Sequence, residues 1–247
     1  MIQKFLFGLI FVFLGWGTLW AQTNNQQSIR SKGLPLIKNH TLEDYPALFH
    51  NYQITQDTQG IIFIANDNGL IEFDGLNWRQ YQLPEQTAIK AVAFHNKRIY
   101  VAGNSELGFF EPDKQGQLGF ISLAKQIKQF KFPLPVFTKI VTTPTQILFF
   151  SPTALYIYHV TSKKIKYLPA KSKFHNLFKI KQQVFVQEAN KGLFRLKNDK
   201  LSFVTGSGIF ADKKIKCLLT HHKKQLLIRT QNTGFIFTMG NYSTLGM

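Results

Sequence analysis

The sequence predicts an all-β fold: a β-propeller of four-stranded blades, with about five blades present and the ring incomplete. Three observations carry this. Short runs rich in β-branched and aromatic residues recur in groups of four, and each group takes about 40 residues. No stretch of helical periodicity separates the groups. A small residue followed by a large apolar one recurs at one place in each group.

The first group, 52–88, shows the pattern in full. Tyr52-Gln-Ile-Thr-Gln leads to the turn Asp57-Thr-Gln-Gly60, and then to Ile61-Ile-Phe-Ile-Ala65. Asn66-Asp-Asn-Gly69 is a second turn, followed by Leu70-Ile-Glu-Phe73, the hairpin signal Asp74-Gly75, and Trp78 to Leu83. Asp accepts backbone N–H groups in such turns while Gly takes the left-handed conformation. Further copies are expected over 89–125, 136–170 and 174–206, with a partial one over 213–238 that lacks its fourth strand. The recurring small residues are Gly69, Gly108, Ala154, Gly192 and Gly234, followed by Leu70, Phe109, Leu155, Leu193 and Phe235. At the entry to a third strand a small residue permits a positive φ or close backbone approach. Glu72 and Glu111 are read as occupying similar strand positions in neighbouring blades.

Ahead of the blades, Lys4 and the uncharged apolar run Phe5–Trp20 end at Ala21, before the polar stretch Gln22–Gln27. Sixteen apolar residues are short for a bilayer span of about 20, so residues 1–21 read as a signal peptide, with an uncleaved anchor as the alternative. Residues 22–51 form a lead-in, and 239–247 an irregular tail. The chain is expected to be exported, to the periplasm or the outer face of the inner membrane. The lone Cys217 lies in an apolar run and reads as a small buried hydrophobe.

The net charge is +17, and between Lys114 and Gln187 there are twelve Lys and no acidic residue. Export and the preference for Lys over Arg argue against nucleic acid as partner. A solvated basic surface is one reading; an acidic polymer or anionic headgroup as ligand is the other. Lys163, Lys164 and Lys166 are the residues chosen to test it.

The stretch Gly33-Leu-Pro35, Tyr45, and Tyr52 through Trp78 resembles the start of the two-component-regulator propeller proteins of Bacteroidetes-type bacteria. The resemblance is specific over about residues 33–85 and follows only the repeat column to about 238. It implies the sensor region of a membrane-spanning regulator, in which a triple-tyrosine β-sandwich, a membrane helix and a kinase or helix-turn-helix output follow. No motif of those later parts occurs in this sequence. The expectation is therefore the opening portion of a longer protein or a truncated reading frame.

Propellers gather loops from every blade onto one face, where polar residues converge on a ligand. The candidate ligand-binding residues follow each second strand: Asn66, Asp67, Asn68, Asn104, Ser105, Glu106, Asn190, Gln231 and Asn232. Amides and carboxylates beside aromatic residues suit the hydroxyls of a glycan or polymer fragment. Equally, such residues serve as turn formers. No His/Cys/Asp cluster has ligand spacing, so neither metal nor cofactor is expected. No carboxylate pair or His–base pair stands out among 13 acidic residues, so a propeller lyase or hydrolase ranks below sensing. A protein-interaction scaffold, self-association through the open propeller edge, or a fragment without independent role completes the alternatives.

Overall fold

The computed structural model describes residues 37–41, 43–127, 134–221, 225–232 and 236–239. The expected signal peptide, most of the lead-in, Gly234, Phe235 and the tail beyond Met239 lie outside these. Among the described residues, nineteen strands form five antiparallel sheets, each a simple meander in sequence order. The first blade holds β1 (Asn51–Gln56), β2 (Ile62–Asn66), β3 (Gly69–Phe73) and β4 (Trp78–Tyr81). The second holds β5 (Ile89–His95), β6 (Arg98–Gly103), β7 (Leu107–Pro112) and β8 (Leu118–Ser122), followed by the short helix α1 (Ala124–Ile127). The third holds β9 (Lys139–Thr142), β10 (Gln146–Phe150), β11 (Ala154–His159) and β12 (Ile165–Pro169). The fourth holds β13 (Phe174–Ile180), β14 (Gln183–Glu188), β15 (Gly192–Lys197) and β16 (Lys200–Phe203). The fifth holds β17 (Ile215–His221), β18 (Gln225–Thr230) and β19 (Ile236–Met239), three strands among the described residues.

Turn chemistry sets these hairpins. Asp57 Oδ1 accepts the N–H groups of Gln59 and Ile61 at 2.8 and 2.9 Å, and Gly60 follows at φ 91°. Asp113 repeats the device in the second blade, accepting from Gln115 and Gln117, with Gly116 at φ 83°. Two-residue hairpins with both φ values positive close β5–β6 at Asn96–Lys97 and β15–β16 at Asn198–Asp199. Asn and Asp tolerate that conformation, and its twist matches the strands it joins.

Strand alternation gives every blade two inward-packing faces, so the core lies between blades. Phe63, Ala65 and Leu70 of the first blade pack on Val92, Ile99 and Val101 of the second. Tyr100 and Phe109 of the second meet Phe149 and Tyr158 of the third, with Phe137 from the connection. Each buried aromatic or aliphatic side chain contributes about 1.5–3 kcal/mol, so these interfaces outweigh the few polar links across them. Those links are regular nonetheless. Gln53 Oε1 and Thr55 Oγ1 accept from Val92 N and Phe94 N at 3.3 Å each. Asn176 accepts from Lys139 Nζ at 3.3 Å and donates to Ile215 O at 3.4 Å. Since Gln53 and Thr55 turn toward β5, alternation leaves Ile54 and Gln56 exposed on the other side of β1.

The register corrects two sequence readings. Glu106, not Gly108, is the counterpart of Gly69: Gly103 N donates to Glu106 O to close the hairpin, and Leu107 pairs with Ala102 as Leu70 pairs with Ala65. Among the described residues of the small-residue column, Gly69 and Gly192 have positive φ, 109° and 113°. Gly108 is required by space instead, since a Cβ there would strike the Ile121 carbonyl. By the same register Glu72 matches Phe109, and Glu111 lies two residues further along its strand. Cys217, expected to be buried, is half-buried.

Candidate functional site on the loop face

In a four-strand meander the start of the first strand, the end of the second and the start of the third share one end of the blade. The second-to-third-strand loops therefore lie on the same face as the starts of β1, β5, β9, β13 and β17. In four blades the first strand is bulged there, between Asn51 and Gln53, Ile89 and Ala91, Phe174 and Asn176, and Ile215 and Cys217. The extra residues are Tyr52, Lys90, His175 and Lys216. A bulge takes its residue out of the ladder and re-aims the side chain. Four blades thus present one residue each on this face, and three of the four are basic types.

The first blade carries the densest polar cluster. Asp67 accepts from the Tyr52 hydroxyl at 2.7 Å through Oδ1, while Oδ2 lies 2.7 Å from His50 Nδ1. The two rings stack at 6.0 Å, and Lys90 Nζ lies 5.2 Å from the Tyr52 ring centre. The Tyr52 hydrogen bond, and then that of His50, holds the Asp67 carboxyl below its ordinary range, and the same bond to Asp67 raises the Tyr52 phenol. Asp67 is therefore a fixed anion between two aromatic groups.

Beneath it, Asn66 is wholly buried. Its Nδ2 donates to Leu48 O, His50 O and Asn51 Oδ1 at 2.8–3.0 Å, and its Oδ1 accepts from Leu48 N and Asn68 N. That amide clasps the lead-in and sets the position of His50. Asn68 is held similarly, with its carbonyl accepting from Gln80 Nε2 at 2.7 Å and its Nδ2 reaching Pro46 O at 3.5 Å.

The other sequence candidates lie in separate blades of the same face. Asn104 is exposed and bridges to Val136, and Ser105 sits at φ 57° with Oγ donating to Leu134 O. Glu106 Oε1 accepts from Leu107 N and Ser122 Oγ, both at 2.9 Å. Asn190 is an exposed turn residue at φ 60°. Gln231 and Asn232 are exposed, and Gln231 N donates to Lys214 O. Their bonds stay within a blade or its junction with the next, so they line a common face without forming one cluster.

Electrostatics add to this picture. Burial, and then the charges of Lys214 and Lys173, hold the His175 imidazole below its ordinary value. Burial also depresses Lys139, whose ammonium has the Asn176 amide oxygen and, at 5.4 Å, the Phe178 ring as partners. Burial raises the Glu188 carboxyl, but Lys191 Nζ at 2.9 Å and the Ser172 N–H at 2.8 Å more than offset it, leaving it lowered. Lys163 and Lys164 sit in the β11–β12 turn, at the opposite end of the blades. There Asp199 binds His159 at 3.0 Å and lies 3.8 Å from Lys166. The acid-free stretch is thus partly neutralised by a residue of the next blade.

Among the described residues, no group of three or more His, Cys, Asp or Glu side chains could hold a metal ion, and no helix is long and apolar enough to cross a membrane. His50, Tyr52 and Lys90 were not singled out from sequence. The signal was there in outline: polar or aromatic residues at the openings of first strands, where an apolar residue would fit the ladder.

No protein-family profile matches the sequence, and no curated protein matches it. Solved structures do. The extracellular domain of BT4673 from B. thetaiotaomicron, described as belonging to a hybrid two component system, has a TM-score of 0.56 at 16% identity, covering 78% of this chain and 26% of that one. The extracellular domain of BT3049 from the same organism, described likewise, gives 0.55 at 15% identity, covering 81% and 31%. The chain thus spans less than a third of the length of either neighbour. At such identities the likeness is one of fold.

Proposed function

We propose that this chain is an extracytoplasmic ligand-sensing propeller segment of a membrane-spanning regulator, and that its loop face takes a hydroxyl-rich, negatively charged polymer fragment. The observation carrying this reading is the set of bulge residues Tyr52, Lys90, His175 and Lys216 on the face that also holds the second-to-third-strand loops. Cations at the bulges attract carboxylate or sulfate groups, while exposed Asn104, Asn190 and Asn232 offer donors and acceptors to hydroxyls. Asp67, with one oxygen on the Tyr52 hydroxyl and the other on His50, holds the Tyr52 ring in place for stacking. A signalling output would come from domains outside this sequence.

The test is binding of polygalacturonate and of heparin fragments to the full chain, by calorimetry at about 0.05 M and about 1 M salt. Lys90→Gln with Lys216→Gln is expected to weaken binding about tenfold at low salt, while neutralising Lys163, Lys164 and Lys166 at the opposite end leaves it nearly unchanged. The reverse ranking, or no binding of either polymer, would overturn the reading.

A further inference from the structure

A second site lies at the other end of the molecule, between the first two blades. A cleft of about 380 Å³ opens there beside the Asp57–Gly60 turn. Phe63, Glu72, Arg79 and Tyr81 of the first blade form one wall, and Phe94 and Ile99 of the second form the other. The volume falls at the small end of ligand pockets, about 300–1,000 Å³.

Its chemistry differs from that of the next two blades. The positions matching Glu72 in the second and third blades are Phe109 and Ile157, both buried and apolar, while the fourth blade has Arg195 there. In the first blade a carboxylate with 6% of its side chain exposed takes that place. Arg79 Nη1 donates to Glu72 Oε1 at 2.6 Å, and the Tyr81 hydroxyl donates to Oε2 at 3.0 Å. Arg79 Nη2 also reaches Asp74 Oδ2 at 3.2 Å, yet its side chain is 53% exposed. Burying a carboxylate where an apolar side chain would pack is a local cost to stability, and such breaks concentrate at functional sites.

We propose that this cleft binds a small neutral polyol the size of one or two sugar rings. Each Glu72 oxygen keeps a lone pair beyond its present bond, and the Arg79 guanidinium carries five N–H donors, two of which are used. A vicinal diol meets both needs, donating to the carboxylate and accepting from the guanidinium. Phe63, Phe94 and Ile99 supply an apolar surface for the C–H face of the ring. The lining carboxylates Asp57 and Glu72 are balanced by the cations Arg79 and Lys97, so neither a free cation nor an anion meets a net charge and a neutral ligand fits. Burial, and then the Glu72 charge, pushes the Tyr81 phenol up to about 12, so it stays a donor at neutral pH. The site is separate from the loop face and stands or falls without it.

Ligand-observed NMR with glucose, galactose, maltose and cellobiose on the full chain tests the proposal. At least one is expected to bind, and Glu72→Gln to weaken it tenfold or more. Because that change could disturb the fold, Thr58→Trp at the exposed cleft mouth serves as a second variant. It is expected to abolish saccharide binding while leaving polygalacturonate binding intact. Absence of binding by all four sugars at millimolar concentration, or binding that survives Thr58→Trp, overturns the cleft site whatever the acidic polymers do. Loss of polymer binding with sugar binding retained would instead remove only the loop-face reading.

Discussion

Replacing Asn66 by alanine separates a ligand contact from a structural clasp. Its amide makes five hydrogen bonds, three given and two accepted, all at 2.8–3.0 Å. At about 1 kcal/mol net each the sum would be about 5 kcal/mol. Two corrections lower it. Three acceptors share two hydrogens, and Leu48, His50 and Asn51 are exposed enough to recruit water once the amide is gone. A loss of about 3 kcal/mol is the expectation, which for a domain of roughly 200 residues lowers the melting temperature by about 6–12 °C. The lead-in should also loosen, because Leu48 and His50 lose their anchor, and limited proteolysis should cut faster around residues 48–51. Asn104→Ala is the control: that residue is exposed, and its change should stay within about 0.5 kcal/mol. Calorimetry and timed proteolysis read both effects. An Asn66→Ala chain that melts with the wild type, resists cleavage and merely loses ligand would refute the clasp and restore Asn66 as a binding residue.

Two further outcomes follow from the backbone and from charge. Gly192→Val should cost about 2–4 kcal/mol, because φ 113° strains any L side chain and a Cβ would sit 2.5 Å from Ser207 O. Gly75→Ala, at φ 100° with nothing within 4 Å of the added carbon, should lose only the strain, and equal losses in denaturant melts would show that the contact with Ser207 is unimportant. The Asp67 clamp should be acid-labile: its folded carboxyl is lowered, so its contribution is complete above the ordinary aspartate value of about 3.9 and is lost as pH falls through the lowered value. Proton NMR of the Tyr52 ring should follow that step in wild type, and its persistence in Asp67→Asn would assign it to another group.

Much of the architecture was readable because blades are written in local signals. Asp57-Thr-Gln-Gly60 and Asp113-Lys-Gln-Gly116 form the same turn from nearly the same four residues, and the alternating apolar runs between turns leave few choices of pairing. Register was harder. Gly108 looked like the partner of Gly69 because both are glycines before a large apolar residue. The tie-breaker, a three-residue loop at Asn104–Glu106 closed by Gly103 N, depends on backbone pairing that composition does not encode. The loop face was legible as a location, since second-to-third-strand loops must share an end. It was not legible as a set of contacts. Asn66 and Asp67 are adjacent and alike in the sequence, yet one turns inward to satisfy backbone and the other outward to meet His50 and Tyr52.

Polar chemistry enters the first blade in two places. At the end of its second strand Asn66 is buried with five hydrogen bonds, as Ser151 and Glu188 are buried and bonded at the matching places of the third and fourth blades. In its third strand Glu72 stands where the second and third blades have Phe109 and Ile157. A pattern of apolar and polar positions would count both as turn and surface residues, because Asn precedes a loop and Glu alternates with Ile71 and Phe73. What reveals them is the combination of burial with hydrogen bonding. Buried polar groups need partners, and assembling those partners fixes the surrounding chain. Asn66 thereby fixes His50 on the loop face, and Glu72 fixes Arg79 over the cleft. Asn66 and Glu72 hold the two candidate sites at opposite ends of one blade, so a change to either should disturb its own site and leave the other's binding intact.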